Sequence, residues 1–385
     1  MAVLLLGGAA LLAGLDGGLL LLGLPAPLST DRLPQVHGPL LVLGFVGTLV
    51  ALERAVALRH RAAVLPPALL GAGGLSLVVD AVPLGVGQAM LAAGCLAALV
   101  VEVLLWRRRP CAAMAVEVLG ATAGLAAAVL WWAGVPVPTL VPWLAAFLVL
   151  VIAAEREELG RVGRPATGRL GVPLAVGVLG GVVAATLWPG PGHVLLGAAL
   201  LALVTRLVVV DVARRTVRST GLPRYVAVCL LCGYAWLAVA GAGWLLGGAV
   251  VEGPVYDAVV HAVFLGFVIT MIMAHAPVIL PAVLRRPVPY TARLYVPVAV
   301  LQGALLLRVV GGDAHGQAWA LRAGGALGVL GVLLLPVVVG TAMRARRPER
   351  AGPAAGDRPP PHATPSVKPD TTVTTDPSTL EEAVR

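Results

Sequence analysis

Apolar runs of about 18 residues or more recur along almost the whole chain. Each is long enough to cross a hydrocarbon layer of ~30 Å at ~1.5 Å per helical residue. The runs are rich in Leu, Val, Ala and Gly and do not alternate strictly with polar residues. They therefore read as helices, whose backbone groups are satisfied within each segment, and not as barrel strands. The composition agrees: 59% of the 385 residues are hydrophobic and 12% are charged. An all-α polytopic membrane protein is expected, with the lipid bilayer as its surroundings.

Twelve helices are expected, near residues 2–23, 37–58, 63–83, 86–106, 111–133, 138–154, 169–188, 192–211, 224–247, 256–283, 291–310 and 319–343. Pro25, Pro27, Pro34, Pro136, Pro189, Pro191 and Pro254 punctuate the joints. Every even-numbered loop is basic. Arg59 and Arg61 follow the second helix, and Arg107, Arg108 and Arg109 follow the fourth. The later even loops read "EREELGRVGRPATGR", "RRTVRSTGLPR", "RRPVPYTAR" and "RARRPER". The odd loops hold little arginine beyond Arg32 and Arg322. By the positive-inside rule both termini are cytoplasmic, and twelve spans close the alternation. The formal charge of +9 thus orients the chain and does not indicate nucleic acid. The arginine bias, with Lys368 the only lysine, suggests a GC-rich bacterial genome and so a bacterial cytoplasmic (inner) membrane. The first run lacks a basic leader and a small-residue cleavage site, so it is read as a helix. The helical domain is expected over 1–343. Residues 344–385, rich in Pro, Thr and charge, are expected to form a disordered cytoplasmic tail. No internal repeat is evident.

The seven histidines sort by depth. His60 and His362 fall in a basic loop and the tail, and His193 and His315 at outer loop edges. His37 begins the second helix and His261 lies in the outer third of the tenth. Both helices run inward, so the two imidazoles stand at similar depth. Two histidines at one depth on different helices are a candidate pair of axial ligands to a haem iron. Gly38, Gly44 and Gly47 after the first, and Ala262 and Gly266 after the second, would admit a flat macrocycle. Interhelical hydrogen bonding is the other reading, since membrane helices use polar side chains as glue. His275 lies fourteen residues beyond His261, roughly 21 Å along the axis, too far to share a metal. It reads as a helix-end contact.

Asp16 is an ionisable group inside the first span and a candidate functional residue. Glu53 and Arg54 are expected to pair locally or to meet lipid headgroups, and Glu102 and Glu117 to sit at the interface near basic loops. Arg206 and Asp211, with Asp16 and the histidines, would line a path in a second reading: a secondary transporter of a small solute without haem. Cys229 and Cys232 in "CLLC" read as packing, since no second pair accompanies them. No C-x-x-C-H, Walker, zinc-protease or nucleophile-elbow motif occurs, and enzymatic activity is left open.

The stretch "HGPLLVLGFVGTLVALE" from His37, and "VVHAVFLGFVITMIMAHAPVILP" around His261, resemble the second and tenth helices of haem-copper oxidase subunit I. They are closer still to the NnrS family, twelve-helix proteins associated with nitric oxide metabolism and haem. The resemblance covers residues 1–343. It implies an oxidase-like bundle with a b-type haem held by His37 and His261. It also implies propionates near Arg308 and Arg322, and a role in electron transfer or nitric oxide response with a redox partner the sequence does not identify. Val259 stands where the oxidases carry their high-spin haem histidine. The sixth and seventh helices have no histidines for copper, so no copper site is expected.

Overall fold

In the computed structural model, residues 2–160, 171–284, 286 and 288–345 are described. The tail expected from residue 344 lies almost wholly outside them, as does most of the basic loop after the sixth helix.

The described residues form an all-α bundle. Eleven helices are long and apolar enough to cross a membrane: α1 Ala2–Leu21, α2 Leu33–Leu58, α3 Arg61–Val78, α4 Leu84–Arg108, α5 Ala112–Trp132, α6 Val137–Glu158, α8 Pro189–Val210, α9 Gly221–Gly247, α10 Gly253–Pro281, α11 Ala292–Ala314 and α12 Ala318–Arg344. Between α6 and α8 lies α7, Gly171–Leu187, a further apolar helix whose first described residue adjoins 161–170. The chain is a multi-pass membrane protein. Its lipid-facing surface carries large apolar side chains that water would not tolerate together, among them Val56, Leu195 and Leu246. Trp132, Trp188 and Trp319 are exposed at the helix ends opposite the basic loops, as in an interfacial aromatic belt.

Helices adjacent in sequence pack as antiparallel neighbours, α3 on α4, α5 on α6, α7 on α8 and α11 on α12, as short connections require. α6 runs through the centre: 72% of its apolar window is buried, against 22% for α12 at the periphery. Where α2 crosses α3, the Cα of Gly74 faces Gly44 so closely that a Cβ on Gly44 would stand 3.2 Å from it. Small residues permit this approach, and no hydrophobic driving force is needed to hold helices that lipid already solvates.

Two helix starts differ from the sequence expectation. α2 begins at Leu33 and α10 at Gly253, one turn before the apolar runs. Both first turns contain a proline, Pro34 and Pro254, at a position where the missing N–H costs nothing. Pro34, Gln35, Gly253 and Pro254 interrupt the apolar runs there, so hydropathy does not carry the helices back through these turns. His37 therefore lies inside α2 and does not begin it.

Candidate functional site

His37 sits one turn into α2, half-buried, with its Nδ1 3.0 Å from the carbonyl of Pro34. His261 sits two turns into α10, with Nδ1 2.8 Å from the carbonyl of Asp257. A carbonyl only accepts, so in each ring Nδ1 carries the hydrogen and donates. In the neutral ring this leaves the lone pair on Nε2, the nitrogen farther from its own helix. The two rings lie within electrostatic reach of each other, and both within reach of Asp257 and Arg308. The structure thus brings together three of the residues singled out from sequence: His37, His261 and Arg308.

Arg308, buried on α11, grips Asp257 of α10 with two parallel bonds: Nε to Oδ2 at 2.8 Å and Nη2 to Oδ1 at 2.7 Å. This fork geometry is the strong form of an arginine–carboxylate contact. The same aspartate brings Oδ1 to 3.4 Å from His261 Nδ1, but the ring's hydrogen bond goes to the Asp257 backbone carbonyl at 2.8 Å. Asp313 of α11 lies against Asp257, and its Oδ2 is buried without a donor. Arg322 is not drawn in. It is exposed on α12 and makes no hydrogen bond or ion pair among the described residues. Arg32 is committed elsewhere, donating to the carbonyls of Val79, Asp80 and Val82 between α3 and α4.

The helices are not α-helical throughout. π-helical turns run over Leu40–Gly47 in α2, Ala262–Ile269 in α10 and Leu307–Ala314 in α11. Such turns are rare and cluster at functional sites. The first opens three residues after His37, the second directly after His261, and the third contains Arg308 and Asp313. The first two share a sequence: Leu43–Thr48 and Leu265–Thr270 both read L-G-F-V-x-T. Each π turn ends at the threonine, whose buried hydroxyl donates back to a carbonyl in the preceding turn. Thr48 reaches Gly44 at 2.7 Å and Thr270 reaches Leu265 at 3.3 Å. This hexapeptide marks both π turns in the sequence. Gln302 of α11 extends the second copy, donating to Thr270 Oγ1 at 2.9 Å and accepting from Trp236 Nε1 at 2.6 Å.

The remaining polar candidates have other partners. Asp16 accepts the backbone N–H of Leu28 at 3.1 Å and so caps the loop after α1. On the side of the basic loops, Arg54 is buried and meets three carboxylates from three helices: Glu102 of α4, Glu117 of α5 and Glu155 of α6. Glu102 and Glu117 are thus buried, not interfacial, at 3% and 1% exposure. Asp211, just beyond α8, accepts from Arg156 Nε at 2.9 Å and Nη2 at 3.1 Å, from the Ala213 N–H at 2.8 Å and from the Tyr234 hydroxyl at 2.5 Å. Burial opposes its charge, but the bonds and charge of Arg156, with Tyr234 and Ala213, hold its carboxyl below the usual range. His275 gives Nδ1 to Met271 and sets Nε2 3.4 Å from Arg156 Nη1, so it joins this group as an interhelical contact. Arg206 pairs with Glu157 at 3.2 Å. Cys229 and Cys232 are free thiols in the packed α9.

A family model described as a domain of unknown function, DUF8744, matches residues 1–344, and the chain belongs to that family. No curated protein and no solved structure matches it.

Proposed function

We propose that this chain is a b-type haem protein of the NnrS and haem-copper-oxidase-like kind, with His37 and His261 as the two axial ligands. One observation carries the reading. Two imidazoles on different helices each spend Nδ1 on a carbonyl of their own helix and lie within electrostatic reach of each other. His193 and His275 make the same bond; what sets His37 and His261 apart is their proximity, and the bond fixes each ring's tautomer so that Nε2 is the nitrogen left for a metal. The π turns beside both residues support it further.

The donor set fits a haem. Imidazole is a good iron ligand, and Arg308 is a cation beside both rings. Its Nη1 takes no part in the pair with Asp257, so it remains a donor for an anionic propionate. Arg322, exposed, has no part in the reading. When bound, a haem with two histidine ligands supplies one-electron redox chemistry, which fits electron transfer or a nitric oxide response with a redox partner. We place the protein in a bacterial cytoplasmic membrane with both termini inside, on the alternation of basic loops.

The second reading, a secondary transporter, draws on the buried carboxylates around Arg54, which an electron-transfer role does not require. Haem content separates the two. Full-length protein made with ample haem and purified in detergent should carry about one non-covalent haem per chain by pyridine haemochrome. The double variant His37→Ala/His261→Ala should carry none. A folded, haem-free wild type would overturn the haem reading and favour the transporter.

A further inference from the structure

The group around Arg54 holds more negative charge than positive. Arg54 Nη2 donates to Glu155 Oε1 at 2.7 Å, Nη1 lies 3.1 Å from Glu117 Oε1, and Nε lies 3.5 Å from Glu102 Oε1. One guanidinium therefore faces three carboxyl groups. They sit one to two turns inside the ends of α2, α4, α5 and α6, on the side of the basic loops. Among the described residues, the charged groups around them do not restore the balance. Glu53 and Glu158 add negative charge, Arg108 is committed to the carbonyl of Leu58, and Cys95 is a buried thiol.

Two further features point to what occupies the group. Glu102, only 3% exposed, has Oε2 without any donor, and Arg54 Nε has no hydrogen-bond acceptor. Both residues line one cavity of about 20 Å³, with Gly47, Cys95, Phe147 and Val151 among its other walls. That volume suits a single water, which needs two or more polar partners. In addition, Glu102 and Glu117 converge on the same guanidinium, at 3.5 and 3.1 Å, so the two carboxyl groups face each other across it. Two carboxylates cannot bond; a carboxylic acid and a carboxylate can. Leaving both ionised beside Glu155 would place like charges together in a dry bundle at large cost.

We propose that Glu102, Glu117 and Glu155 form a proton-holding site around Arg54, with at least one exchangeable proton resident at neutral pH. The proton sits between Glu102 and Glu117. A water in the cavity joins Glu102 Oε2 and Arg54 Nε, and reaches Gly47 at the end of the π turn that follows His37. The site lies at the cytoplasmic end of the same helix that carries His37, and it would serve proton uptake from that face. The inference does not depend on whether haem is bound.

The test is infrared spectroscopy of the purified full-length protein at pH 7. The site predicts a carboxylic-acid carbonyl band that shifts in D2O and shifts again on 13C-labelling of glutamate. The glutamate label distinguishes it from Asp257 and Asp313, and needs no variant. Glu102→Gln and Glu117→Gln, which keep shape, should each remove most of that band. Absence of a glutamate-sensitive acid band at pH 7 would overturn the proposal. So would a band that both variants leave intact. A carboxylate band that responds to added Na⁺ or K⁺, with no acid band, would assign the site to a metal cation instead and equally overturn it.

Discussion

Asp257 holds Arg308 through two parallel bonds of 2.7 and 2.8 Å while its own backbone carbonyl receives Nδ1 of His261. One residue thereby fixes a cation on α11 and an imidazole on α10. Asp257→Ala removes the first function and keeps the second, because the carbonyl remains. Breaking a fully buried pair costs ~3–5 kcal/mol. With the Asp257 side chain 26% exposed, we expect about 1–2 kcal/mol here. Thermal unfolding in detergent measures this. Haem, if bound, should be retained in Asp257→Ala; its loss would mean the side chain and not the carbonyl positions His261.

Gly266 faces Trp236 at a distance only glycine allows. A Cβ at this position would stand 2.5 Å from Trp236 Cβ and Cγ, and the indole is tethered to Gln302. Gly266→Ala should lower stability by about 1–3 kcal/mol, in the range of overpacked cores. Gly180→Ala is the control: nothing lies within 4 Å of that Cβ, so the change should be neutral or stabilising by up to about 1 kcal/mol. Equal melting temperatures for the two variants would contradict the packing described.

Tyr234→Phe deletes one of the donors on Asp211 and should cost about 1 kcal/mol. Asp211→Asn removes the charge that Arg156 binds and should cost more. The pH dependence has a definite sign. The native carboxyl titrates below its ordinary value of 3.8, so its contribution is fully present above that pH and is lost as the pH falls further. The stability gap between wild type and Asp211→Asn should therefore narrow only below about pH 3.8. A gap that narrows between pH 5 and 7 would show that another group governs it.

The basic loops predict orientation. A fluorescent protein fused after the C-terminus should fold and fluoresce in bacterial cells, and alkaline phosphatase at the same point should be inactive. The reverse pattern would invert the bundle and put the Arg54 carboxylates on the outer side.

Much of this architecture was legible in the sequence. Run length and the alternation of Arg59/Arg61, Arg107–Arg109 and the later basic loops lead to the helices observed. Depth alone paired His37 with His261, because two helices running the same way bring their early residues to one level. Other features were not legible. π turns are a matter of hydrogen-bond register, which hydropathy does not report; only the repeated L-G-F-V-x-T marked them. Glu102 and Glu117 read as interfacial because arginines lie near them in sequence. Their partner Arg54 comes from another helix, and only packing reveals it. Asp16 lacked a nameable partner because the partner is a backbone N–H of a loop. Arg322 was chosen by analogy with the oxidases, and its helix is the one least enclosed by the bundle.

The central claim is that His37 and His261 act as one pair. The most direct measurement is the reduced-minus-oxidised visible spectrum of the purified protein beside His37→Ala, His261→Ala and, as a control, His193→Ala. Our account predicts a sharp b-type α-band in the wild type and in His193→Ala, abolished or shifted to a high-spin form in each of the other two. A band left unchanged by either His37→Ala or His261→Ala would contradict it.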